Sequence, residues 1–279
     1  MEGVEDSDGV RLVTSCGHLL LIGGEPGSGK SALLNLLVAY AVLCLDCRLV
    51  LLDGKQVELG QWRRCADAFV GPRIDQALTL LKRLQTMMDN RYAYLLDCER
   101  RKVVEKIQTL SPVTGEVSWV PDAFLPYVLA IDEIAYFSAT TGDKKQHEDF
   151  SALLRDLVAR GRAVGIIVLA ATQRPSSDII PTSLRDLFAW RFAGRCTNDS
   201  SSDIVLGHGW AQQGWSANQI SPNNPGAGLL IAEGGSPQLI KVAYLDDRTC
   251  AAIAAHAATL RATAATGDRP ALRPIPAAA

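Results

Sequence analysis

Gly24-Glu25-Pro26-Gly27-Ser28-Gly29-Lys30-Ser31 spaces its glycines, lysine and hydroxyl as G-x-x-x-x-G-K-S, between the apolar run Leu19 to Ile22 and a stretch with helical patterning. Glycines at these places let consecutive backbone N–H groups close around a phosphate, and the helix N-terminus that follows adds partial positive charge. Residues Gly24, Glu25, Pro26, Gly27, Ser28, Gly29, Lys30, Ser31 and Ala32 are thus expected to surround the phosphates of a nucleoside triphosphate. Lys30 is expected to reach the β- and γ-phosphates and Ser31 to ligate Mg²⁺. An ordinary glycine turn would need neither the preceding strand nor the following helix.

A second chemical group lies about a hundred residues on. Tyr127-Val128-Leu129-Ala130-Ile131 is an apolar strand that delivers Asp132 and Glu133 at its carboxyl end. Hydrolysis of a phosphoanhydride needs one acid near the metal and one near the attacking water, so Asp132 is expected to hold Mg²⁺ through water and Glu133 to polarise the water. Acids also cap helices at such positions. The phosphate loop upstream decides for the catalytic reading. Ile166 to Thr172 forms another buried strand, closed by Gln173-Arg174-Pro175. Gln173 is expected to sense the γ-phosphate or the water, the alternative being a loop amide bonded to its own backbone.

These groups need a parallel sheet to bring strand ends together. The 279 residues are 48% hydrophobic and 21% charged, ample for the core of one large α/β domain. Strands are expected at His18 to Gly23, Arg48 to Leu52, Ala189 to Ala193, Gly228 to Ala232 and Leu239 to Ala243, and helices at Lys30 to Leu45 and Ile74 to Ile107. Ser111 to Pro121, with its prolines and Thr114-Gly115, reads as an excursion or small hairpin. Residues 1–16 form an acidic lead, 17–250 the α/β domain, and 251–279 an alanine- and proline-rich tail expected to be poorly ordered.

The 28 basic and 30 acidic residues leave a net charge of −2, so any nucleic-acid contact must be local. Seven scattered cysteines suit reduced thiols in the cytoplasm better than a disulfide framework, and the lone pair Cys44 and Cys47 lacks zinc-site partners. Leu36 to Leu45, the longest apolar stretch, is too short to span a bilayer, and no signal peptide opens the sequence. Work at a membrane would require another segment or partner.

His18-Leu19-Leu20-Leu21, Asp53-Gly54-Lys55 with Glu58-Leu59, Arg91-Tyr92, Ala130 to Glu133, Arg160 to Gly165 and Leu169 to Pro175 follow one another as in the FtsK/SpoIIIE family, which the stretch Gly17 to Asp246 resembles. Within the family the chain is similar to the transfer proteins of actinobacterial conjugative plasmids. The resemblance implies a RecA-like P-loop NTPase, with a mostly parallel sheet flanked by helices, that uses ATP and Mg²⁺. It also implies a hexameric ring that pumps double-stranded DNA, cytoplasmic or at the inner face of the membrane with a membrane-anchored partner or segment. In a ring a neighbour's arginine completes each site, and Arg160, Arg162 and Arg191 are the candidates. Lys144-Lys145 and the stretch Arg174 to Arg185 are the basic features expected in pore loops that grip phosphates.

Two departures stand out. Ser201-Ser202-Asp203 occupies the place of the family's Asp-Ser-Arg run, and the membrane-spanning and winged-helix regions of the family are missing from this sequence. Other readings are a type VII-like secretion ATPase, with Asp199 to Pro225 and its Trp210 and Trp215 as a docking surface, and a nucleotide-binding scaffold without turnover. Glu133 argues against the last.

Overall fold

Strand runs that are apolar at every position, rather than at alternate ones, must be covered on both faces. A computed structural model describes residues 19–97 and 125–265 and arranges these runs accordingly. In chain order the elements are β1 (Leu20–Gly23), α1 (Lys30–Leu43), β2 (Arg48–Leu52), β3 (Ala68–Val70), α2 (Ile74–Asp97), β4 (Tyr127–Ile131), α3 (Lys144–Arg160), β5 (Ile166–Thr172), α4 (Thr182–Arg185), β6 (Trp190–Gly194), α5 (Asp199–Leu206), β7 (Ala227–Ile231), β8 (Gln238–Lys241) and α6 (Asp247–Ala265). One sheet runs β3-β2-β4-β5-β1-β6-β7-β8. The six strands from β3 to β6 are parallel, and β7 and β8 add an antiparallel edge.

Every residue of β1, β4 and β5 is buried. One face of the sheet, with Leu21, Leu129, Ile131 and Val168, packs against α2 and α3. The other, with Leu20, Ile22, Leu51 and Leu169, packs against α1 and α6. The parallel order sets the carboxyl ends of β1, β2, β4, β5 and β6 along one edge, where α/β folds carry their ligands.

β6, β7 and β8 lie within two residues of the expected spans. The three-residue β3 is too short to show a period. α2 is described as far as Asp97, and the expected continuation to Ile107, like the hairpin at Ser111 to Pro121, lies outside the described residues.

The tail requires a correction. Residues 251–265, expected to be poorly ordered, belong to α6, whose Cys250, Ala254 and Ala257 are buried against the α1 layer. Alanine has the highest helix propensity, and its small side chain lets two helices approach closely, so a composition that offers little apolar volume still yields a docked helix. Arg261 fixes the contact by donating from Nε to the Val42 carbonyl at 2.9 Å and from Nη2 to those of Ala41 and Cys44, both at 3.0 Å. Residues 266–279 lie outside the described part. No described helix is long and apolar enough to cross a membrane, and the five described cysteines are free thiols.

Candidate active site

The loop from Gly24 to Gly29 leaves β1 and enters α1 without any side chain capping the helix. The first N–H groups of α1 therefore remain available to an anion. Gly29 sits at φ 95°, and a Cβ there would lie 2.4 Å from Gly226 Cα, so both conformation and packing require glycine. Gly226 N–H donates to the Ser28 carbonyl at 3.0 Å, which braces the loop against the turn before β7.

Lys30 is buried at 6% exposure, and its Nζ donates to the Glu25 carbonyl at 2.7 Å. Burial pulls its pKa down to about 8, against the field of Glu133 and Asp132, which raises it. Ser31, one residue on, is half-buried.

Asp132 stands just past β4, its N–H donating to the Leu52 carbonyl of β2 at 3.1 Å. Its Oδ2 is buried with no hydrogen-bond partner among the described residues. Burial, with the adjacent carboxylates of Asp53 and Glu58, pushes its pKa up to about 7. A buried carboxylate oxygen without a partner fits a cation. Asp132 and Ser31 are the residues that would hold Mg²⁺, a hard cation that takes oxygen ligands. No group of three His, Cys, Asp or Glu side chains able to hold a metal by itself occurs among the described residues.

Glu133 is held from β5. Its Oε1 accepts from Thr172 Oγ1 at 2.6 Å and its Oε2 from the Gln173 N–H at 2.9 Å. Thr172 Oγ1 in turn accepts from the Arg174 N–H at 3.1 Å. The acid is thus oriented by the end of the neighbouring strand, because parallel β4 and β5 finish together. Gln173 reaches Glu133 through its backbone N–H, and the residue is half-buried.

Thr172 and Asp53 were not singled out by type and spacing. Asp53 is fully buried and accepts the N–H groups of Lys55 (3.0 Å), Gln56 (2.8 Å) and Leu59 (2.8 Å), so it shapes the loop after β2 beside Asp132. A threonine ending a strand reads as a β-former, and an aspartate before glycine reads as a turn. Only the junction of strand ends reveals either as a positioning group.

The three arginines separate. Arg160 and Arg162 precede β5 and so lie at the opposite edge of the sheet from Lys30. Arg160 bonds Asp156 through Nε and Nη2, both at 2.6 Å, and Asp89 at 2.9 Å. Arg162 pairs with Glu233 at 3.4 Å. Arg191, on β6, is half-buried, its Nε has no hydrogen-bond partner among the described residues, and burial together with Arg185 lowers its pKa. The basic stretch Arg174 to Arg185 needs amending. Arg174 is exposed, but Arg185 is buried and paired with Asp186 at 2.8 Å, which removes it from any surface that grips phosphates. Lys144 and Lys145 are exposed at the N-terminus of α3, behind an Asp143 and Gln146 capping box. The segment Asp199 to Pro225 is largely bonded to itself, with Asp203 accepting from the Gly209 and Ala211 N–H groups and Asp199 from Ser216 Oγ.

Residues 5–177 match the profile of the FtsK/SpoIIIE family. The DNA translocase FtsK of Treponema pallidum (strain Nichols) is 31% identical over 247 residues, which span 85% of this chain and 28% of that protein. The conjugation coupling protein TcpA of pCW3, solved as a monomer with ATPγS, has a TM-score of 0.70 at 21% identity and covers 88% of this chain with 66% of its own. ATPases 2 and 3 of Thermomonospora curvata EccC, solved with a signal sequence peptide, have a TM-score of 0.67 at 19% identity over 95% of this chain and 45% of theirs. Both structural likenesses concern the fold. The chain spans under a third of the length of the curated relatives it matches. A phosphate loop, paired acids just past β4 and the polar end of β5, together with a profile match over most of the chain and the Treponema relative, lead to one assignment: the chain belongs to the FtsK/SpoIIIE family.

Proposed function

We propose that residues 17–265 form an ATP-hydrolysing motor that moves double-stranded DNA, with ATP and Mg²⁺ as cofactors. The observation that carries the reading is Glu133, a carboxylate with both oxygens fixed by Thr172 and Gln173, next to Lys30 and Asp132. An acid fixed so firmly is prepared to orient a water rather than to swell a turn. In this assignment Gly24 to Ala32 surround the phosphates and Lys30 neutralises the β- and γ-oxygens. Ser31 and Asp132 would hold Mg²⁺, which would supply charge neutralisation at the transferring phosphoryl group. Glu133 aligns the attacking water and accepts its proton, and Gln173, the residue after β5, is assigned the role of sensing the γ-phosphate.

DNA as substrate is supported by family membership and by the name of the Treponema relative. Lys145, exposed in the first turn of α3 where a cation opposes the helix dipole, adds a local observation, while Lys144 beside it pairs with Glu148 at 3.9 Å. For a ring with a neighbour's arginine in each site, Arg191 is the better supported candidate, because Arg160 is committed to Asp156 and Asp89. A cytoplasmic location, at the membrane's inner face through a partner or further segment, belongs to the same reading.

The test is the ATPase rate with and without double-stranded DNA. We expect stimulation by DNA, no turnover in Lys30→Ala, and ATP binding without turnover in Glu133→Gln. Normal turnover in Glu133→Gln removes the assignment of that acid. An ATPase indifferent to DNA but stimulated by a secretion-signal peptide favours the protein-export reading.

A further inference from the structure

Glu25 is an acid inside a loop built for anions, and every polar group it has is engaged. Its N–H donates to the Arg195 carbonyl at 2.9 Å, and its carbonyl accepts from Lys30 Nζ at 2.7 Å. Its carboxylate pairs through Oε1 with Arg195 Nη1 and accepts through Oε2 from Thr197 Oγ1 at 3.2 Å. Both partners in the ion pair are mostly buried, at 27% side-chain exposure for Arg195 and 22% for Glu25. The surrounding packing is close. A Cβ on Gly194 would lie 2.9 Å from Ser28 Oγ, and one on Gly24 would lie 3.0 Å from the Gly194 carbonyl oxygen. The phosphate loop therefore rests on the turn Gly194 to Thr197, and Arg195 touches it by both main chain and side chain.

Left bare, the Glu25 carboxylate would repel a triphosphate a few ångströms away in a partly buried site, where charges are poorly screened. We propose that Arg195 is a positioning residue for ATP: it cancels the charge of Glu25 and pins the loop to the turn after β6, so that the loop accepts a polyanion despite carrying an acid. The inference rests on the ATPase reading above. Its distinctive consequence is suppression, in which losing the cation is harmful only while the acid remains.

The experiment measures the Kd of fluorescent ATP and ADP analogues, with Mg²⁺, on the full chain at low and moderate salt. Arg195→Ala is expected to weaken ATP by about tenfold and ADP by less, with a deficit that shrinks as salt rises. Arg195→Lys is expected to keep most of the affinity, and Glu25→Gln combined with Arg195→Ala to recover it to within about threefold of wild type. A merely structural Arg195 would lower the nucleotide-free melting temperature and affect ATP and ADP alike. Undiminished ATP binding in Arg195→Ala overturns the proposal, as does a double variant that stays as weak as the single one. If Arg195→Ala fails to fold, the double variant decides alone by the same threefold criterion. Failure of the wild-type protein to bind ATP sinks the ATPase reading instead.

Discussion

Asp132 bears a burial cost that depends on pH. Its folded pKa, about 7, stands above the ordinary value of 3.8, so between these limits the folded chain binds more protons than the unfolded one. Its contribution to stability is fully present below pH 3.8 and is lost as pH rises through 7. Asp132→Asn is therefore expected to stabilise the nucleotide-free protein at pH 8, on the order of 4 kcal/mol, and to change little at pH 4. Melting curves at the two pH values check this, and equal shifts at both would refute it. Thr172 makes the complementary case. Thr172→Ala removes the 2.6 Å bond that orients Glu133 and leaves the loop around Lys30 alone. Turnover is expected to fall by roughly tenfold or more with ATP affinity nearly unchanged, and Thr172→Ser to retain most of the rate. A kcat unaffected in Thr172→Ala would show that Glu133 does not depend on β5. Lys30, Asp132 and Glu133 were legible in the sequence because local spacing fixes their motifs. Thr172 and Arg195 were not, since their partners, Glu133 and Glu25, follow other strands and no local spacing records them.

At the scale of elements, apolar strand runs and the glycine loop specified β1, α1, β2, β4 and β5 almost residue by residue, because burial on both faces leaves little freedom in composition. α6 escaped notice for the opposite reason: its burial rests on small residues and one arginine. That arginine can be tested. Arg261→Ala deprives the α1 carbonyls of Ala41, Val42 and Cys44 of a charged donor. The expected loss is about 2–3 kcal/mol, or roughly 5–10 °C in melting temperature. A shift under 1 °C would mean that the end of α1 needs no such partner. The wide turn Tyr136–Thr140 marks a π-helical step directly after the paired acids. Such steps gather at functional sites. It links Glu133 to the start of α3, where Lys144 and Lys145 stand.

For the whole molecule, a net charge of −2 means that any DNA affinity must come from a few exposed cations rather than from a general field. Binding is expected to tolerate any sequence and to weaken steeply with salt, and Lys144→Ala with Lys145→Ala to lower the slope of log K against log salt by about 1–2. Titrations at several salt concentrations on two unrelated duplexes measure this. A slope unchanged in the double variant would exonerate these lysines. The bond from Thr172 to Glu133 acquires a different meaning at this scale. Arg174, exposed on the loop that leaves β5, donates its N–H to the same Thr172 oxygen that holds the acid, so a pull on that loop is a pull on the hydrolytic geometry. A motor gripping its track there would feel its load at the site of chemistry: resistance would slow ATP consumption together with movement, and a stalled engine would stop burning fuel.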